Sequence, residues 1–173
     1  MRLKTFMQAS ACVVVLSFSA APAPAQELVP RTPGLNSSKM DDSIKSYQDA
    51  LKYYQTGQLK LAEQELEKFL GKVGQHAGGN FLMGMIRIQQ NDFEKARTSF
   101  RVAVKLDPAL VSPHGWLGAV ESALGNPQAA LAQKAELEKM KAACVEPCAK
   151  AADIALEIRR IDETMAAQTQ KPN

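Results

Sequence analysis

The feature that most constrains this chain is a spacing of 34 residues. Gly57, Asn91 and Gly125 stand 34 apart, as do Ala50, Gly84 and Gly118, and again Ala62, Ala96 and Ala130. Each ladder has a physical reason. Gly or Asn recurs where a helix must end in left-handed backbone, which these residues adopt at least cost. Small residues in the middle of two consecutive helices let the pair approach closely, small facing small. Val, Ile and Thr form no alternating runs, so no strands are expected. Four prolines fall between residues 41 and 167, namely Pro108, Pro113, Pro127 and Pro147, each at an expected helix boundary. The pattern predicts first helices at about 41–56, 77–90 and 112–124, and second helices at about 59–71, 93–105 and 127–143. Ser112-Pro113 and Asn126-Pro127 are cap-then-proline starts. A seventh helix at about 147–166 carries one apolar stripe, Ile154, Ile158, Ile161 and Met165.

The units 43–76, 77–110 and 111–144 resemble the tetratricopeptide repeat, a helix-turn-helix module. The second is the best, with Gly84, Asn91-Asp92-Phe93, Ala96, Phe100, Ala103 and Leu106-Asp107-Pro108. The first keeps Ala50, Tyr53, Gly57, Ala62 and Leu66, and the third keeps Leu117-Gly118, Gly125 and Ala130. The family's early tryptophan is replaced by Ser46, Asn80 and His114. Its first-helix tyrosine becomes Arg87 and Glu121, and its second-helix phenylalanine becomes Lys134 in the last unit. The resemblance covers about 100 of 173 residues. It implies an all-α, right-handed superhelical solenoid of three repeats. The helix at 147–166 would cap its open end, and the whole repeat domain would span 41–167.

The N-terminus reads as an export signal. Arg2 and Lys4 precede the 11-residue apolar and small run Ala11–Ala21, too short to span a bilayer, and Ala23-Pro24-Ala25 matches a small-x-small cleavage pattern. Residues 1–25 are thus expected to be removed, leaving Gln26 first. Residues 26–40, with two prolines, a glycine and two serines, read as a flexible linker, and 168–173 as a disordered tail. The expected location is the periplasm of a Gram-negative bacterium, with no membrane insertion after signal removal. Removing Arg2 and Lys4 from the 21 basic residues leaves 19 against 18 acidic ones, a poor balance for a nucleic-acid binder.

No residue pattern assembles a catalyst. There is no glycine-rich phosphate loop, and Gly78-Gly79 is a lone pair at a helix start. His76 and His114 are 38 residues apart, and acids such as Glu63, Glu65 and Glu67 lie among lysines on solvated faces. Nothing joins a nucleophile to a base and its orienter. The expectation is a non-enzymatic protein without cofactor or metal that binds another protein or peptide of the cell envelope.

In such repeats the first helices line the concave surface. The 34-residue period aligns three rows there: Tyr47, Phe81 and Gly115; Leu51, Met85 and Ala119; Tyr54, Ile88 and Ser122. The expected partner groove is therefore Tyr47, Leu51, Tyr54, Phe81, Met85 and Ile88, with Gly115 leaving an empty place for a bulky partner side chain. One subclass of the family clamps a peptide's terminal carboxylate with basic residues and asparagine on this face. The basic residues are missing here, so that activity is not implied.

Two cysteines remain after export, Cys144 and Cys148. An oxidising compartment favours a structural disulfide between them, bracketing the turn from the sixth helix to the seventh. The alternative is a thiol or copper protein, since Met140, Cys144 and Cys148 form M-x3-C-x3-C and sulfur ligands suit Cu(I).

Overall fold

A computed structural model describes residues 37–145 and 148–169 of the chain. The expected signal, the linker up to Asn36, Pro147 and the last four residues lie outside the described part. Seven helices follow one another: α1 (Ser37–Gln55), α2 (Leu59–Val73), α3 (Ala77–Gln89), α4 (Phe93–Leu106), α5 (Val111–Ala123), α6 (Pro127–Ala142) and α7 (Ala151–Thr169). No strand occurs among the described residues. The pairs α1–α2, α3–α4 and α5–α6 pack as helical hairpins, and each pair stacks on the next through α2 against α3 and α4 against α5.

The turn inside each pair is built the same way. Gly57, Asn91 and Gly125 take φ of 74°, 61° and 79°. One residue later the backbone N–H reaches back: Gln58 to Tyr53 O at 2.8 Å, Asp92 to Arg87 O at 2.9 Å, Asn126 to Glu121 O at 2.8 Å. These bonds satisfy carbonyls that a helix end leaves bare. At the start of α4 the Asp92 carboxylate accepts the Lys95 N–H at 3.2 Å. Bonding to Lys95 also holds that carboxyl below its ordinary range.

The core lies between the pairs. Ala50 and Ala62 sit in one cluster with Leu66, Phe69, Leu82, Met83 and Ile86. Small does not simply face small in the second pair: a side chain on Gly84 would strike the Phe100 ring, so the glycine makes room for an aromatic. Successive units bury Met83 with Ile86, then Leu117 with Val120. The equivalent positions in the first unit are Asp49 and Lys52, and Asp49 pairs with Lys45 at 2.6 Å. A polar face there starts the stack, because it offers nothing for a preceding repeat to bury.

Several boundaries differ from expectation. Ser37–Met40, assigned to the linker, form the first turn of α1. Gln168 and Thr169, assigned to the tail, close α7, and this helix begins at Ala151 rather than 147 because Ala149 and Lys150 form a turn. Ser112 does not cap α5, which starts one residue earlier behind Leu110. Asn126 is the N-cap residue of α6, but its side chain makes no cap bond and donates to Glu121 Oε2 at 3.0 Å instead.

Candidate partner-binding surface

The six expected groove residues lie on two neighbouring first helices. Tyr47, Leu51 and Tyr54 on α1 pack against the Leu66–Phe69 cluster. Phe81, Met85 and Ile88 on α3 pack against Ala96, Phe100, Leu117 and Val120. All six are half-buried, with one side on the core and the other reaching solvent. The Tyr47 ring stands 4.9 Å from Phe69 and 5.9 Å from His76, centroid to centroid. Burial pushes its phenol above the ordinary range. Phe81 stands 5.8 Å from Phe100, which in turn stacks on Trp116 at 6.3 Å. A cavity of about 310 Å³ opens beside Phe81, between Gly78, Leu110, Val111, Pro113 and the first turn of α7 at Asp153.

The third unit corrects the expectation of an empty slot. α7 packs chiefly on α5 and less on α6. A side chain at Gly115 would fall inside Glu157, and one at Gly118 would strike Ile161. Ala119 and Ser122 are buried as well. The row that is open on α1 and α3 is therefore taken by the chain's own last helix on α5. The sequence signal was present in part. Lys134 stands where the second unit has Phe100, so α6 lacks the aromatic that should fill the Gly118 hollow. Ile161 fills it instead, and Lys134 pairs with Asp162 of α7 at 2.6 Å.

Residue-by-residue reading missed two other features. Trp116 packs with Phe81 and Met85 in one cluster and carries the Arg160 guanidinium 4.0 Å above its ring. Arg160 Nε donates to the buried Glu157 at 2.7 Å, so Gly115, Glu157, Arg160 and Trp116 form one linked set between α5 and α7. The second feature is a polar link across each repeat junction. Arg87 Nε lies 3.8 Å from Glu63, whose other oxygen accepts from Gln90 at 3.0 Å. One period later the signs are exchanged. Glu121 is 2% exposed and accepts from Arg101 Nε at 3.1 Å and Nη2 at 2.5 Å, with Arg97 3.9 Å away. The 34-residue offset of Glu63 to Arg97, and of Arg87 to Glu121, was available in the sequence; the pairing across the junction was not.

The histidines are structural. His76 Nδ1 accepts the Gly79 N–H at 2.9 Å and caps α3. His114 is buried between Gln133 Oε1 at 2.8 Å and Pro108 O at 3.1 Å. Cys144 and Cys148 have Cα atoms 5.6 Å apart, a separation a disulfide spans. Met140 and Cys144 both pack on the Leu137–Ile154 cluster. Among the described residues no three His, Cys, Asp or Glu side chains converge as a metal site.

Residues 77–110 match the family model of the tetratricopeptide repeat. The second helical pair, α3–α4, is thus a tetratricopeptide repeat. No curated protein sequence matches it. Its fold is similar to the TPR2B domain of yeast Sti1, solved as a complex with pHsp70, at TM-score 0.61 and 14% identity over 71% of this chain and 98% of that one. It is also similar to the first TPR of Spaghetti (RPAP3), solved with the HSP90 peptide SRMEEVD, at TM-score 0.58 and 18% identity over 78% and 99% of the two chains. MamA gives 0.56 and 13% identity over 78% and 84%. At these identities the likeness establishes the tetratricopeptide fold alone.

Proposed function

We propose that this repeat protein is an exported, non-enzymatic interaction scaffold of the cell envelope, and that it holds a partner segment in the apolar groove of its first two units. One observation carries the reading: Tyr47, Leu51, Tyr54, Phe81, Met85 and Ile88 form half-buried rows that make no ion pair among the described residues. Large apolar side chains held on a rigid backbone, with one face still wet, are the usual anchors of a protein interface. Repeat proteins of the same fold that were solved with Hsp70- or HSP90-derived partners lend general support to a peptide or protein ligand. The export half of the proposal rests on the N-terminal sequence. It expects purified protein to begin at Gln26 and to be found in the periplasmic fraction. Within this reading Cys144 and Cys148 form a structural disulfide, which leaves no thiolate for copper.

The test is photo-cross-linking in the native envelope. A benzophenone side chain at Leu51 or Met85 should capture the partner, whereas the same group at the exposed Leu61 on α2 should not. Equal capture from Leu61, or none from the two groove positions, would remove the groove from the proposal.

A further inference from the structure

Among the described residues two carboxylates are buried, Glu121 and Glu157, and they are held in opposite ways. Glu121 on α5 accepts from Arg101 on α4 and from Asn126 at the start of α6, so its charge ties neighbouring elements together. Glu157 on α7 is 4% exposed, and its one hydrogen bond among the described residues comes from Arg160 of the same helix, at 2.7 Å. It rests on Gly115 of α5, which has no side chain to bond it. Taking a carboxylate out of water costs free energy, and a buried ion pair offsets that cost only with good geometry and further hydrogen bonds. Here the pair is internal to α7. It would stay intact, and be better hydrated, if α7 left α5. The seat of α7 is therefore apolar at Ile154 and at Ile161 over Gly118, but penalised at Glu157. Its other polar ties lie at the surface: Lys134 to Asp162 at 2.6 Å, and Lys150 to Ala109 O at 3.4 Å. Exposed ties of this kind contribute little.

We propose that α7 is a releasable lid on the third unit: it leaves α5 by local opening while the first two pairs stay folded, and the buried Glu157 sets how readily it does so. Elements that move in binding are drawn from the least stable part of a fold, and a charge buried at a contact lowers the stability of that contact alone. What the lid covers is the continuation of the partner surface. Gly115 under Glu157 stands one period after Phe81, and the cavity beside Phe81 already reaches the first turn of α7 at Asp153. With α7 released, a segment held on α1 and α3 extends onto α5. This use of the lid rests on the groove reading above; the opening itself does not.

Native-state hydrogen exchange on the full chain reads the opening with no partner present. Amides in the middle of α7 should exchange about ten times faster than those of α3 and α4. Glu157→Leu removes the charge at similar volume and should slow exchange in α7 about ten-fold. Glu157→Gln, which keeps the shape, should slow it in the same direction by less. Ala119→Cys, at a buried position of α5, should react with a small thiol reagent through the opening, and more slowly when combined with Glu157→Leu. Equal protection of α7 and α3, exchange not slowed in either Glu157 variant, or labelling at residue 119 that ignores Glu157→Leu would overturn the lid. Cross-link capture from Leu51 and Met85 reads the groove separately. Capture with a closed α7 keeps the groove and removes the lid, whereas an opening α7 without capture keeps the lid and removes the groove.

Discussion

α3 and α5 hold equivalent places in consecutive repeats, yet they present opposite surfaces. α3 offers Phe81, Met85 and Ile88 half-exposed; α5 offers Gly115, Ala119 and Ser122, all buried against the rest of the chain. The backbones follow the same rules, with the same left-handed turn behind each helix. Side-chain volume makes the difference. Large residues keep the row open to solvent, whereas glycines let α7 settle directly on the helix. Whether a row stays open to solvent or is covered by the chain's own last helix thus follows from side-chain volume on the first helix.

The most direct way to break this comparison is to give α5 the residue of α3. Gly115→Phe places a ring where Glu157 now lies, and the atoms it meets include the Glu157 Cβ, so α7 itself must shift. Displacing α7 also uncovers Ile154 and Ile161, both fully buried. The expected loss is about 3 kcal/mol, the upper end for overpacking, with faster amide exchange in α7 than in α3. An unchanged melt would mean that α7 is not held at this contact.

The repeat junctions differ as much as the helices do. Arg101→Ala strips the nearest base from the buried Glu121, leaving only Asn126 and the more distant Arg97. A buried carboxylate deprived of its main partner is costly, and a loss of about 2–3 kcal/mol is expected in urea titration. Glu63→Ala cuts the sign-exchanged link at the first junction, where both charges keep access to water. That change should cost about 1 kcal/mol or less. Equal losses would show that the two junctions are energetically alike despite their burial.

The contrast also marks what the sequence could and could not show. The period, the turns and the apolar stripe of α7 were legible because each depends on local backbone needs or on one helix's own spacing. Glycine at 115 was legible as a small residue, but smallness does not say what occupies the space. That depended on where α7 lies, and on Glu157, a charged residue off the apolar stripe of α7 that is nonetheless buried. Glu121 was read only as a departure from a tyrosine position; its arginines come from α4, 20 and 24 residues earlier. Asn126 looked like a cap until a buried carboxylate competed for its amide. Contacts between elements, rather than elements, were the missing information.

If the open face of α3 is the working surface, its largest ring should matter for binding and little for folding. Phe81→Ala should weaken partner binding by about 2 kcal/mol, the scale of a truncated interface anchor, with the helical spectrum retained. Because the rows carry no charge, affinity should fall little between low and moderate salt. Full binding by a Tyr47→Ala, Phe81→Ala double variant, or a steep salt dependence, would move the interaction away from α1 and α3.

A modest effect is expected at the turn that leads into α7. If Cys144 and Cys148 are joined as proposed, the bond closes a very short loop, and the chain-entropy estimate for such a loop is about 2 kcal/mol at most. Cys144 is half-buried on the α6–α7 cluster, so part of its contribution is packing that serine would lose as well. Cys144→Ser and Cys148→Ser should therefore each lower the melting temperature modestly and by similar amounts. The double variant should be no worse than either single, because one bond is lost in all three. Hydrogen exchange should locate the loosening chiefly in α7 and its seat on α5, with less change in α3. Additive losses in the two single variants would mean that the sulfurs act separately and that α7 keeps its place without a covalent tie.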